Sequence, residues 1–457
     1  MARKPWLAVV LAAVAAASSA SAAWAGHAYV PDDRFADAGR ALTDFGYVSG
    51  LAARPGGGVV AARAKHLGAG ALTAAGAPDA GFGTAGAAEF DLPRVEEHGA
   101  AVAVDDRGRV VVAGSVAPVV PHTHPAPEVH AASSMAAVRY LSDGAVDTSF
   151  GSGGIAVMAF DGGAAAARSI AILDGGAIVL GGYAADGRAA ALARLQADGR
   201  PDEGFSDDGR YWRDLLPGLE SVRGLVPELG RLTFAGTTNG GQSFAARLAG
   251  DDLDPSYGRR GILELPGGPV DTAALSAAAG ANGRLLLAGR FAGVRGVLAV
   301  DRGGRIDGTY GSGGIAAVTW AAGARPLNAV QMAPLPGGDA AVVWEEFDPL
   351  ARRSQLAFER FDAGGRSRGE PGRIAFWSAG LTTAMPTGLA PTADGGATAA
   401  AWATGHAEDA RGVLARVAPA APHAAPAAVR RACRRTSAGH RARHRARART
   451  AHRCRRR

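Results

Sequence analysis

RYLSDGAVDTSFGSGGIAVMAF, residues Arg139 to Phe160, is the stretch that decides the fold. It reads as the end of an apolar strand, a polar-Gly turn, Asp-x-x-aromatic, a glycine and a further strand. The pattern recurs in ALTAAGAPDAGFGTAGAAEF from Ala71, RLQADGRPDEGFSDDGRYW from Arg194, RLAGDDLDPSYGRRGILEL from Arg247 and VDRGGRIDGTYGSGGIAAVTW from Val300. Its anchors are the pairs Asp32/Phe35, Asp79/Phe82, Asp147/Phe150, Asp202/Phe205, Asp254/Tyr257 and Asp307/Tyr310, whose aromatics follow one another at spacings of 47, 68, 55, 52 and 53 residues. A seventh copy, DAGGRSRGEPGRIAFW from Asp362, has lost both the aspartate and the aromatic.

Each anchor has a physical reading. An aspartate can accept backbone N–H groups two residues on and fix a turn. The aromatic three residues later is placed to pack inward as a recurring core plug. A calcium loop would need alternating oxygen ligands, and no copy supplies them. Between anchors lie two further strands joined by a tight turn, best seen in SIAILDGGAIVLGGY from Ser169 to Tyr183. Asp-Gly between apolar runs is a hairpin signal. Each period therefore holds four short strands, the signature of a propeller blade.

The repeats resemble the delta-60 repeat family of β-propellers, whose copies read like DGSLDTSFGxGG; LSDGAVDTSFGSGG, Leu141 to Gly154, matches closely. The resemblance implies a β-propeller over residues 30–418 and no particular activity. The strand count then predicts an all-β, seven-bladed ring of four-stranded blades. The last repeat lacks an outermost strand, while Arg40 to Phe45 looks like an outermost strand with no partners before it. Pairing the two closes the ring and removes two sheet edges, which an open solenoid or two smaller propellers would leave exposed.

The first 25 residues read as a signal peptide, with Arg3 and Lys4 before an apolar stretch from Leu7 to Ala17 and small-residue cleavage patterns ending at Ala22 and Ala25. A retained anchor is the weaker reading, because the run is short for a membrane span. An extracellular monomer, free or wall-associated, is expected. The only cysteines, Cys433 and Cys454, lie near the C-terminus, where an oxidising compartment would permit a disulfide.

Residues 419–429 form a Pro/Ala linker to a basic tail. That tail carries Arg430, Arg431, Arg434, Arg435, Arg441, Arg443, Arg445, Arg447, Arg449, Arg453, Arg455, Arg456 and Arg457, and no acid. Removing these 13 charges from the net +7 leaves −6 on residues 1–429. A like-charged run without apolar periodicity is expected to stay disordered and to hold polyanions, such as an anionic cell-envelope polymer or nucleic acid. An unselected basic terminus is the plain alternative.

His122, His124, Glu128 and His130 fall in a Pro-rich insertion that accounts for the spacing of 68. Imidazole plus carboxylate suits zinc or copper. A solvated, metal-free loop is expected instead, because Pro-punctuated segments are rarely preorganised. No GxSxG, Walker-type loop, HExxH or dinucleotide fingerprint is present. No cofactor and no catalytic residue are expected. The tryptophans are read as packing between blades rather than as sugar platforms. The leading function class is a non-catalytic scaffold binding a protein or polysaccharide on its face. The alternative is a propeller lyase or hydrolase acting on an extracellular polymer.

Overall fold

The computed structural model describes residues 27–119, 133–218, 220–228, 230–265, 275–376, 381–405 and 411–420. Seven antiparallel sheets succeed one another along the chain. Their innermost strands are Val48–Ala53, Val95–Val104, Ala166–Ile172, Glu220–Glu228, Ser276–Ala279, Arg325–Pro334 and Leu381–Pro391. Each touches the next, and the seventh touches the first, so the ring is closed. The fold is the all-β, seven-bladed propeller that the repeat count predicts. No helix among the described residues is long and apolar enough to cross a membrane.

Burial explains the runs VVVA, IVL and LLLA. The second strand of a blade is covered on both faces, because each sheet is sandwiched between two others. A typical cluster joins Val111, Ala113, Met135 and Phe150 of blade two to Ile178, Leu180, Ala191 and Ala193 of blade three. Continuous apolar runs bounded by turns are the mark of such strands. Alanine predominates where sheets come close.

Blade seven joins the chain's two ends. Its strands Leu381–Pro391, Ala397–Gly405 and Arg411–Pro419 are completed by Arg40–Thr43. The register runs from Arg40↔Ala415 to Thr43↔Gly412. A second strand, Tyr29–Pro31, pairs with the same partner further along, Tyr29 facing Pro419. The repeat pattern did not reveal this short strand, because it precedes the first anchor. In blade four the outermost strand is split into Asp252–Leu253 and Ile262–Glu264, both paired with Ser243–Ala249.

Candidate functional site

The anchor residues form latches between blades. Asp147 Oδ1 accepts from Ser149 N at 3.1 Å, and Asp79, Asp202, Asp254 and Asp307 accept from the N–H two residues on in the same way. Arg139 Nε pairs with Asp147 Oδ2 at 2.8 Å, and its guanidinium lies 4.5 Å over the Phe150 ring. The same guanidinium donates to the Ala197 carbonyl in the turn of blade three. Gly151 N donates to Asp198 O of that turn at 2.7 Å. The Phe150 ring then lies against Gly199, leaving no room for a Cβ. Arg194/Asp202/Phe205 and Arg247/Asp254/Tyr257 repeat the ion pair and the stacking.

The arginine is the part that the sequence reading missed, because it changes place. Ala71 and Ala299 stand where Arg139 stands in blade two. Arg54 and Arg284, from the inner hairpins, reach Asp79 at 2.5 Å and Asp307 at 2.6 Å instead. Phe82 is the buried plug expected for blade one. It packs across the junction with Val110, Val138 and Tyr140 of blade two, and the cation 5.0 Å over its ring is Arg54. The reason is geometric: an aromatic in the turn before the outermost strand lies at the blade's flank, where the next sheet covers it. Tyr310 likewise joins Trp344 and Phe361 of blade six.

In the eroded copy the positions of the aspartate and the aromatic hold Arg368 and Pro371. Asp339 supplies the missing carboxylate, binding Arg360 Nε at 2.9 Å and Arg368 at 3.2 Å. Tyr29, fully buried among Leu356, Phe358 and Ile374, adds an aromatic to that junction. Asp32 pairs with Arg34 at 2.8 Å, while Arg416 lies 4.4 Å over Phe35 and donates to Ala74 O at 2.7 Å.

Buried carboxylates serve as staples. Glu97 accepts from Leu67 N and Leu92 N, bonding blade one to the entry of blade two. Glu220 accepts from Ala190 N at 3.0 Å and from Leu215 N and Leu216 N, doing the same between blades three and four. Burial raises the pKa of Glu220 and of Glu359, against the backbone donors that favour the charged form. Their oxygens are taken up by donors of the fold.

The axial mouth is different. Register breaks within the inner strands, among other places between Val48 and Gly50, Gly99 and Ala101, Ala167 and Ser169, Val222 and Gly224, and Leu381 and Thr383. Each break is a bulge whose extra residue is re-aimed. Those residues are Ser49, Ala100, Arg168, Arg223 and Thr382. Ser49 and Thr382 turn their hydroxyls onto carbonyls, Gly99 O at 2.9 Å and Thr404 O at 3.2 Å. In the adjoining blades three and four the bulged residues are arginines.

Arg168 is exposed and lies 5.7 Å over the Tyr183 ring. Arg223 is half-buried, and its Nε is buried without a hydrogen-bond partner among the described residues. Loss of water and then the nearby Arg168 charge lower its pKa to about 10, with Tyr183 opposing. Asp186, at the rim of blade three, is already engaged by Ala164 N at 2.7 Å and Arg188 at 3.6 Å. The Arg168 charge is thus felt at a guanidinium that has an unmet donor. Such a place fits an anion, which a planar fork holds by paired hydrogen bonds.

Elsewhere, Trp320 packs edge-on to the buried Trp344 at 5.7 Å. It lies beyond the strand Ile315–Ala317 rather than on it, and Trp212 stands exposed on Arg210–Arg213. The set His122, His124, Glu128 and His130, both cysteines and the tail arginines lie outside the described residues. Among the described residues no cluster of metal-ligating side chains occurs.

Residues 176–205 match the family described as "Domain of unknown function (DUF5122) beta-propeller". The match spans the second strand of blade three to its anchor Phe205. No curated protein matches the chain. Among solved structures, a protein of unknown function from Dyadobacter fermentans is 13% identical, with 72% of this chain and 100% of that one covered at a TM-score of 0.39. The Dos1 propeller is 8% identical over 86% and 97%, at 0.42. A polysaccharide lyase titled ulvan lyase is 10% identical over 85% and 94%, at 0.43.

Proposed function

We propose that this chain is an exported binding protein whose propeller holds an anionic group at its axial mouth through Arg168 and Arg223. The observation that carries the reading is the unpartnered, buried Arg223 Nε beside a second guanidinium. Leaving such a donor unmet costs about 1–3 kcal/mol, so an anion that meets it is bound with that advantage. Tyr183 supports the arrangement by stacking beneath Arg168. The basic tail adds a second, less selective contact with polyanions, joined by the Pro/Ala linker. We place the repeats with the delta-60 propellers on the strength of LSDGAVDTSFGSGG.

The test is calorimetric titration of the full chain and of Arg168→Gln and Arg223→Gln with glucuronate and with sulfate. Binding at least tenfold weaker in either variant is expected. Equal binding by all three proteins overturns the reading. An anionic polymer that is shortened on incubation, rather than held, moves the assignment to the enzyme class.

A further inference from the structure

On the mouth side of the seam between blades seven and one, two aromatic rings stand together at the surface. Tyr47 enters the inner strand of blade one, and Trp402 lies near the end of the second strand of blade seven. Their centroids are 6.0 Å apart, with planes tilted by 56°. Tyr47 is 37% exposed and Trp402 is half-buried. The Lys65 ammonium sits 5.4 Å from the Tyr47 ring. Neither the Tyr47 hydroxyl nor the Trp402 indole N–H has a hydrogen-bond partner among the described residues. The backbone beneath is firm: Ala64 N donates to Tyr47 O at 2.8 Å.

A seam built only for packing would bury these rings, as the seams of other blades bury Trp344, Phe234 and Phe244. Instead it offers an apolar face, two polar handles and a cation. That combination suits a ligand with a C–H face and hydroxyl edges. In blade three Arg168 and Tyr183 occupy the corresponding ends of the inner and second strands, so both groups open on the same side of the ring.

We propose that Tyr47, Trp402 and Lys65 form a sugar-ring subsite, and that the ligand of the axial face is an acidic oligosaccharide. The acidic half of this statement rests on the Arg168–Arg223 reading; the sugar half does not. Aromatic rings and cations also suit single-stranded nucleic acid. The charge of −6 on residues 1–429 argues against a polymer with a charge on every unit, and favours one whose charges are separated by neutral rings.

The test is a glycan panel of neutral, carboxylated and sulfated hexasaccharides, read with the full chain and with Tyr47→Ala, Lys65→Gln, Trp402→Phe and Arg223→Gln. Single-stranded DNA is the competitor, and thermal melting verifies folding. Tyr47→Ala should weaken neutral and acidic glycans at least tenfold, while Arg223→Gln weakens only the acidic ones. Glycan addition should shift tryptophan emission, and Trp402→Phe should abolish that shift. Trp402→Phe keeps a ring at the seam, so it remains readable if larger truncations unfold the blade. The carboxylated and sulfated arms identify which acid is held.

Three results overturn the sugar subsite: no binding to any glycan, equal glycan binding by Tyr47→Ala and Trp402→Phe, or DNA bound through Tyr47 in preference to every glycan. Glucuronate binding that still depends on Arg223 leaves the anion reading standing alone. Loss of glycan in Tyr47→Ala with none in Arg223→Gln removes the anion reading and keeps the sugar subsite.

Discussion

Phe150 has none of its surface exposed and is wedged between the Arg139 guanidinium and the Gly199 turn of the next blade. Phe150→Ala should therefore destabilise the propeller by about 3–5 kcal/mol in urea denaturation, as for other buried rings. Arg139→Ala should be comparably harmful, because it strands the buried Asp147 carboxylate. The carboxyl groups set the acid limit. Bonds from Ser256 hold Asp254 below the ordinary carboxylate range, those from Thr309 hold Asp307, and Arg54 holds Asp79; at Asp147 burial opposes, but Ser149 and Arg139 prevail. A depressed folded pKa gives stability that is present above the unfolded value of about 3.9 and lost as pH falls through the folded one. The urea midpoint should thus fall below about pH 4, and Asp254→Asn should flatten that fall. Aspartate and aromatic were legible in sequence because they keep fixed spacing. Their arginine was not, because Ala71/Arg54 and Ala299/Arg284 exchange the task between strands. Nor could spacing tell that Phe82 is shared with blade two, since the neighbour that covers a ring is set by the ring of blades and not by its own repeat.

Bulges in the inner strands are matched by glycines in the second strands. At Gly114, Gly182 and Gly236 a Cβ would overlap the carbonyl oxygens of His98, Ala166 and Ser221, because the bulge pushes the inner strand over its neighbour. Gly182→Ala should lower stability by about 1–3 kcal/mol and also weaken anion binding, since Arg168 is the residue that this bulge aims. Gly308→Ala, where the added methyl meets nothing within 4 Å, is the control and should stay within about 0.5 kcal/mol of wild type. Melting curves with and without glucuronate distinguish the two outcomes. The strands themselves could be read from continuous apolar runs and turn spacing. The bulges could not, since one extra strand residue looks like any other. Their trace is the glycine ending VVVAG, IVLGG and LTFAG. In sequence alone Arg168 and Arg223 look like any other strand residues.

At the scale of the whole chain, closure was legible by counting strands, because a missing outermost strand and a surplus one must meet. Charge separates into −6 on residues 1–429 and 13 arginines beyond them. Attachment to a densely charged polyanion should therefore weaken steeply with salt in the full chain, through counterion release, and should vanish in a chain ending at Val429. Filter binding to duplex DNA across a salt series measures both. Deleting residues 27–45 should bare the outer edge of the third strand of blade seven and produce association in ultracentrifugation, since a bare edge recruits partners. The seam also fixes how the ring responds to force. Tyr29 faces Pro419 at the point where both ends leave the sheet, and the pairing runs inward from there to Thr43 and Gly412. Tension between His27 and Ala420 would load these hydrogen bonds one after another, as in a zip, rather than all together in shear. A molecule pulled by both ends should yield first at blade seven, at low force, with blades one to six still folded behind it.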